Sequence, residues 1–131
     1  MIQRIQSIYL LLLIICSLLG LFLLPPDVLS GRSFPTEILL KIYLLVSVIL
    51  SVLSLFSFKY RKSQLVINGT QLLVQSLILL VFIYVLVIEK STSDDLLLWL
   101  SMPLQAIIFL ILASRAIRRD EALVRSIDRL R

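Results

Sequence analysis

Three amide side chains lie inside one of the long apolar runs of this chain, and they are its first candidates for chemistry. Asn68, Gln71 and Gln75 follow one another at intervals of three and four within residues 65–88. That spacing places them on one face of a helix, in a run long enough to cross a bilayer with some tilt. Lipid tails offer amides no hydrogen bonds. We therefore expect the other apolar runs to cover this face.

Serines mark one face of the preceding apolar run, residues 38–58. They stand at intervals of four, three and three: Ser47, Ser51, Ser54 and Ser57. Small residues at such intervals let a second helix come close, and their hydroxyls can bond across the contact. A polar pore lining is the functional alternative. We favour a packing seam, because a serine in a helix can also satisfy its hydroxyl on its own backbone.

Separate runs place their polar groups at one depth. Gln75 lies ten residues into its run and Gln105 nine residues into the next, which is about 15 and 14 Å along oppositely directed helices. The intramembrane polar layer predicted in this way contains Ser47, Ser51, Gln71, Gln75 and Gln105. We expect Gln75 and Gln105 to bond each other or nearby hydroxyls and to fix helix register. A path for a neutral solute is the alternative, and it needs continuous water-accessible space.

Groups typical of catalysis and metal binding are missing from the sequence. It contains no histidine, and no Asp, Glu, Lys or Arg lies near the centre of any apolar run. Lys41 lies one turn inside its run, where it can extend to the surface. Proton relays, metal sites and general bases need such groups. The sequence therefore predicts a protein that is not an enzyme and that holds no cofactor or metal.

The elements that position these residues follow from composition. Of 131 residues, 60% are hydrophobic and 16% charged, too apolar for a water-soluble fold of this length. We expect one all-α membrane domain of four antiparallel transmembrane helices with a C-terminal amphipathic cytoplasmic helix. The predicted segments are spans near residues 5–24, 38–58, 65–88 and 96–113, with a tail at 114–131.

Orientation follows from the placement of arginine and lysine. Arg4, three cations after the second run and six in the tail make ten on one side, against Arg32, Lys41 and Lys90 on the other. Positive residues favour the cytoplasm, so we expect both termini there. The net charge of +5 then reflects membrane topology and is not a sign of nucleic-acid binding. We also expect the cations to contact anionic lipid headgroups.

The charged tail is predicted to be an amphipathic helix. One face of this helix is an apolar arc that consists of Ala116, Ile117, Leu123, Val124, Ile127 and Leu130. The cations Arg118, Arg125 and Arg129 lie opposite this arc. Asp120 falls inside the apolar arc, so it needs a cationic partner such as Arg4 or a cation of the second loop; a solvated Asp120 is the alternative. We expect the tail to lie on the membrane surface or to dock on a partner.

Three segments carry a resemblance over essentially the whole chain: MIQRIQSIYLLL, FSFKYRKSQL and RAIRRDEALVRSIDRLR. They resemble an uncharacterised family of small four-helix integral membrane proteins found in Bacteroidetes. The resemblance implies an inner-membrane location and supplies no catalytic residue.

Three functions remain open from the sequence. The first is an accessory or assembly subunit of a membrane-protein complex, with a membrane-protein partner in the lipid bilayer. The second is a small transporter or channel for a neutral solute, which a homo-oligomer with a polar central seam would favour. The third is lipid-surface sensing through the basic tail.

Overall fold

The computed structural model describes residues 3–23, 36–57, 60–89 and 94–128, and their regular structure is entirely helical. Four helices follow in chain order: α1 (Gln3–Leu23), α2 (Thr36–Phe56), α3 (Arg61–Glu89) and α4 (Asp94–Asp128). The predicted all-α class is confirmed for this part of the chain.

Three of the helices are long and apolar enough to cross a membrane. Their apolar stretches are Ile5–Leu23, Arg61–Val87 and Leu97–Val124. The apolar part of α2, Leu40–Phe56, is shorter. Its 17 residues rise about 26 Å, slightly less than the ~30 Å hydrocarbon core of a bilayer.

Helix α4 is one continuous element. Its 35 residues span about 52 Å and include the apolar run, Pro103 and most of the charged tail. The described part of the tail thus continues α4.

Each helix buries one stripe of residues, and in α1 and α4 the intervals alternate strictly between four and three. The stripe of α1 is Gln6, Leu10, Leu13, Ser17 and Gly20. The stripe of α4 is Trp99, Pro103, Ala106, Leu110, Ala113, Ile117 and Asp120. An average interval of 3.5 residues is the pattern of helices that pack side by side with a slight left-handed crossing.

The stripes of α2 and α3 have the same spacing but are mainly polar. In α2 it consists of Leu40, Leu44, Ser47, Ser51 and Ser54. In α3 it consists of Gln64, Asn68, Gln71, Gln75 and, one heptad later, Phe82. Polar residues of these two helices are therefore placed to meet each other.

The four helices pack in a ring, α1 against α2, α2 against α3, α3 against α4 and α4 against α1. Two apolar clusters fill its interior. One joins α1 and α4 through Leu10, Leu13, Ala106, Leu110 and Ala113. The other joins α2, α3 and α4 through Leu40, Tyr43, Leu44, Phe82 and Trp99.

Large apolar side chains also cover the outside of the helices, as Phe22, Leu73, Leu77 and Ile49 illustrate. Water would penalise such a surface, whereas lipid accepts it. The exterior therefore agrees with the apolar lengths of the helices in indicating a membrane protein.

Candidate functional site

The candidate site is the polar contact between α2 and α3, and two of its hydrogen bonds each join a serine to an amide. Ser54 donates its hydroxyl to Oδ1 of Asn68 at 2.6 Å. Further along, Nε2 of Gln71 donates to Oγ of Ser51 at 2.8 Å. All four side chains are fully buried. These contacts join the helices directly, without room for water between them.

Gln75 is the centre of the remaining part of the layer. Its Nε2 donates to Oγ of Ser47 at 2.9 Å, and its Oε1 accepts a hydrogen bond from the hydroxyl of Tyr43. Ser47 and Tyr43 belong to α2, so one amide of α3 bridges more than a turn of its neighbour. The amide uses its donor and its acceptor in the same contact.

The backbone of α2 also takes part. The carbonyl oxygen of Ser47 accepts from Oγ of Ser51 at 2.8 Å and from Nε2 of Gln71 at 3.1 Å. Ser51 therefore makes both bonds that the sequence suggests for a serine: its hydroxyl donates within its own helix and accepts from the neighbouring helix. The seam is therefore a network and not a set of isolated pairs.

Three buried polar atoms on the α3 stripe have no hydrogen-bond partner among the described residues. They are Oε1 of Gln64, Nδ2 of Asn68 and Oε1 of Gln71. An unpaired buried polar atom is costly. The layer is thus well connected but incompletely satisfied.

Gln105 does not join this layer, so the expectation that it bonds Gln75 or the hydroxyls is wrong. Its Nε2 contacts Sδ of Met102 in its own helix at 3.3 Å. Gln105 directly precedes Ala106 and lies beside the buried stripe of α4, not on it. Its position along the helix axis is as predicted, but its side chain does not face the polar layer. It lines a cavity of only about 10 Å³ with Cys16 and Ser17, room for about one water.

A second buried polar contact joins the ends of the chain. Asp120 of α4 is 4% exposed, and its Oδ2 accepts from Nε2 of Gln6 of α1 at 2.7 Å. The solvated alternative for Asp120 is therefore wrong. The partner is a neutral amide where a cation was expected. The side chain of Arg4 lies outside the described residues.

Of the three arginines predicted for the tail, the structure describes the side chain of one. Arg118 is exposed and lines a groove between α3 and α4. The side chain of Arg125 and the whole of Arg129 lie outside the described residues. Of the apolar arc, Ile117 is buried, whereas Leu123 is 45% exposed.

Four participants were absent from the predicted layer and tail contact: Tyr43, Ser54, Asn68 and Gln6. Ser54 and Asn68 lie on the faces that the spacing marks, and Tyr43 stands four residues before Ser47. Gln6 begins the α1 stripe, a face that no spacing of polar residues marks. Extending the serine face backwards would have found Tyr43. Within the described part of the chain, no group of three or more His, Cys, Asp or Glu side chains could hold a metal ion.

Comparison with known proteins identifies a family and nothing closer. A family model described as "Domain of unknown function (DUF4293)" matches residues 2–130. The chain belongs to this family, and the resemblance to an uncharacterised family is confirmed. No curated protein and no solved structure matches the chain.

Proposed function

We propose that this member of the DUF4293 family is a non-catalytic integral membrane protein with four antiparallel spans, and that it serves as an accessory or assembly subunit of a membrane-protein complex. In this proposal the polar layer sets the register of α2 against α3. The apolar outer faces then present a fixed shape to a partner helix.

The observation that carries the proposal is the closure of the polar layer. Ser51, Gln71 and Gln75 are fully buried, and their hydrogen bonds run between the helices. A solute path would need water-accessible space at this depth, whereas the cavity beside Gln105 has a volume of only about 10 Å³. Packing therefore accounts for the layer better than transport does.

The order of contacts supports antiparallel spans. As residue numbers rise in α2 from Ser47 to Ser54, the partners in α3 fall from Gln75 to Asn68. A short connection between two successive spans also makes them run antiparallel. The short apolar part of α2 is compatible with a span, because α2 has 21 residues in total.

The proposed orientation, both termini on the cytoplasmic side of an inner membrane, rests on the ten-to-three distribution of cations. Single cysteines in a Cys16→Ser background test it. Tyr60 and Ser126 are exposed at helix ends that should share one side, and Leu23 should lie opposite. We expect a membrane-impermeant maleimide to label positions 60 and 126 only from the cytoplasm and position 23 only from outside. Labelling of positions 60 and 126 from different sides would contradict the topology.

Purification from a mild detergent, followed by reconstitution, tests the function. We expect a stoichiometric membrane-protein partner, and no flux of small neutral solutes above that of empty vesicles. Gln75→Leu should weaken recovery of the partner, while the control Gln105→Leu should not. Solute flux that is lost in Gln75→Leu would instead establish transport and overturn the proposal.

A further inference from the structure

A groove between α3 and α4 is a feature of the structure that the polar layer does not explain. It has a cavity volume of about 310 Å³, at the lower end of the range for ligand sites. Gly69 lies in its wall, and a β-carbon placed there would meet nothing within 4 Å. The groove is therefore open at this point of α3.

One end of the groove is lined by hydrogen-bond donors. Arg115 and Arg118 are exposed on α4, and Ser114 stands beside them. Asn68 forms part of the α3 wall; its Oδ1 is taken by Ser54, while its Nδ2 is a buried donor without an acceptor. No carboxylate is among the described residues that line the groove. Two guanidinium groups that line one groove complement a phosphate.

The other end of the groove is apolar. Leu72 of α3 and Ile111 of α4 line it. Along α4, Arg115 and Arg118 lie four and seven residues beyond Ile111, which is about 6 and 10 Å. Charge and apolar surface thus follow one another along the helix axis, as they do along a lipid.

We propose that this groove binds one anionic phospholipid. The headgroup phosphate lies between Arg115 and Arg118, and the upper part of one acyl chain lies against Leu72 and Ile111. The rest of the lipid stays in the bilayer, because the groove is too small to enclose it. This inference rests on the membrane placement in the proposed function and adds a specific ligand to it.

Three variants of the full-length chain separate this site from general attraction of lipid to a basic surface. Arg115→Gln with Arg118→Gln removes the cations of the groove. Arg119→Gln is the matched control, since Arg119 is exposed on the same helix but does not line the groove. Gly69→Leu fills the groove with a side chain, and Thr70→Leu places the same side chain on an exposed neighbouring position.

The measurement is lipid binding to the detergent-purified chain by native mass spectrometry, with phosphatidylglycerol and phosphatidylcholine of equal chain length. We expect one phosphatidylglycerol to bind about tenfold more tightly than phosphatidylcholine, since the two guanidinium groups favour a headgroup with a net negative charge. The double arginine variant and Gly69→Leu should each lose that preference. Arg119→Gln and Thr70→Leu should keep it within about twofold of the parent chain.

Equal binding of the two lipids, or unchanged binding in Gly69→Leu, would overturn the inference. Full displacement of phosphatidylglycerol by inorganic phosphate would identify a site for the free ion and would also overturn it. The outcome is separable from the proposed function. A partner that copurifies with a chain lacking lipid preference refutes only the groove, whereas selective lipid binding without any partner refutes only the accessory role.

Discussion

Replacing Gln75 by leucine should loosen the contact between α2 and α3, because two interhelical hydrogen bonds depend on this one amide. The amide donates to Ser47 and accepts from Tyr43. Leucine has a similar size and suits an apolar environment, so the change chiefly removes hydrogen bonds. The hydroxyl of Tyr43 then remains buried in the interior without this acceptor.

The magnitude follows from the number of bonds. Side-chain hydrogen bonds between transmembrane helices average ~0.6 kcal/mol and reach about 1.7, so two of them predict a loss of about 1.2 and at most about 3.4 kcal/mol. Gln105→Leu is the control, since the bond of Gln105 stays within α4. It should change the free energy of unfolding by less than about 0.5 kcal/mol.

The assay is reversible unfolding in bicelles, with the free energy measured by steric trapping. A double-mutant cycle of Gln75→Leu with Tyr43→Phe isolates the bond between them, and we expect a coupling of about 0.6 to 1.7 kcal/mol. A loss in Gln75→Leu no greater than that in Gln105→Leu would refute the assignment of the layer to register. A coupling near zero would refute the role given to Tyr43.

Two further predictions concern contacts of α1. Asp120→Ala should lower the free energy of unfolding in detergent by about 1.5–3 kcal/mol, because it removes a charged acceptor and leaves the amide of Gln6 unpaired. Asp120→Asn keeps an acceptor and should lower it less. An effect of Asp120→Ala no larger than that of the exposed control Ser126→Ala would contradict the contact. Gly20→Val should destabilise by about 1–3 kcal/mol in the same measurement, because a β-carbon at Gly20 lies 3.0 Å from Sδ of Met102. Gly20→Ala should cost less, since the flexible methionine can move, and equal effects of the two substitutions would argue against steric crowding.

Helical spacing predicts faces well and partners poorly. The intervals of Asn68, Gln71 and Gln75 define one face of α3, and the structure buries all three. The position of a residue along its helix can also be predicted, since it depends only on the rise per residue. The predicted facing direction of Gln105 was wrong, because its neighbour Ala106 occupies the buried stripe of α4.

The partner of Asp120 shows a second limit. Its position in an apolar arc leaves a docked and a solvated side chain both open, and the structure buries it at 4% exposure. Its donor, Gln6, lies 114 residues earlier in the chain. Nothing local specifies which helix packs beside α4, and a charge rule alone favours a cation over an amide. Only the packing of α1 on α4 selects Gln6.

Sequence separation divides the polar contacts into early and late ones during synthesis. Partners in α2 and α3 are 14 to 32 residues apart, so this hairpin can close soon after both helices have left the ribosome. Gln6 emerges first but meets Asp120 only when nearly the whole chain has been made. Until then the amide of Gln6 lacks this acceptor. The last turns of α4 therefore act as the closing step of assembly, and a chain cut short before Asp120 should leave α1 exposed to chaperones and membrane proteases.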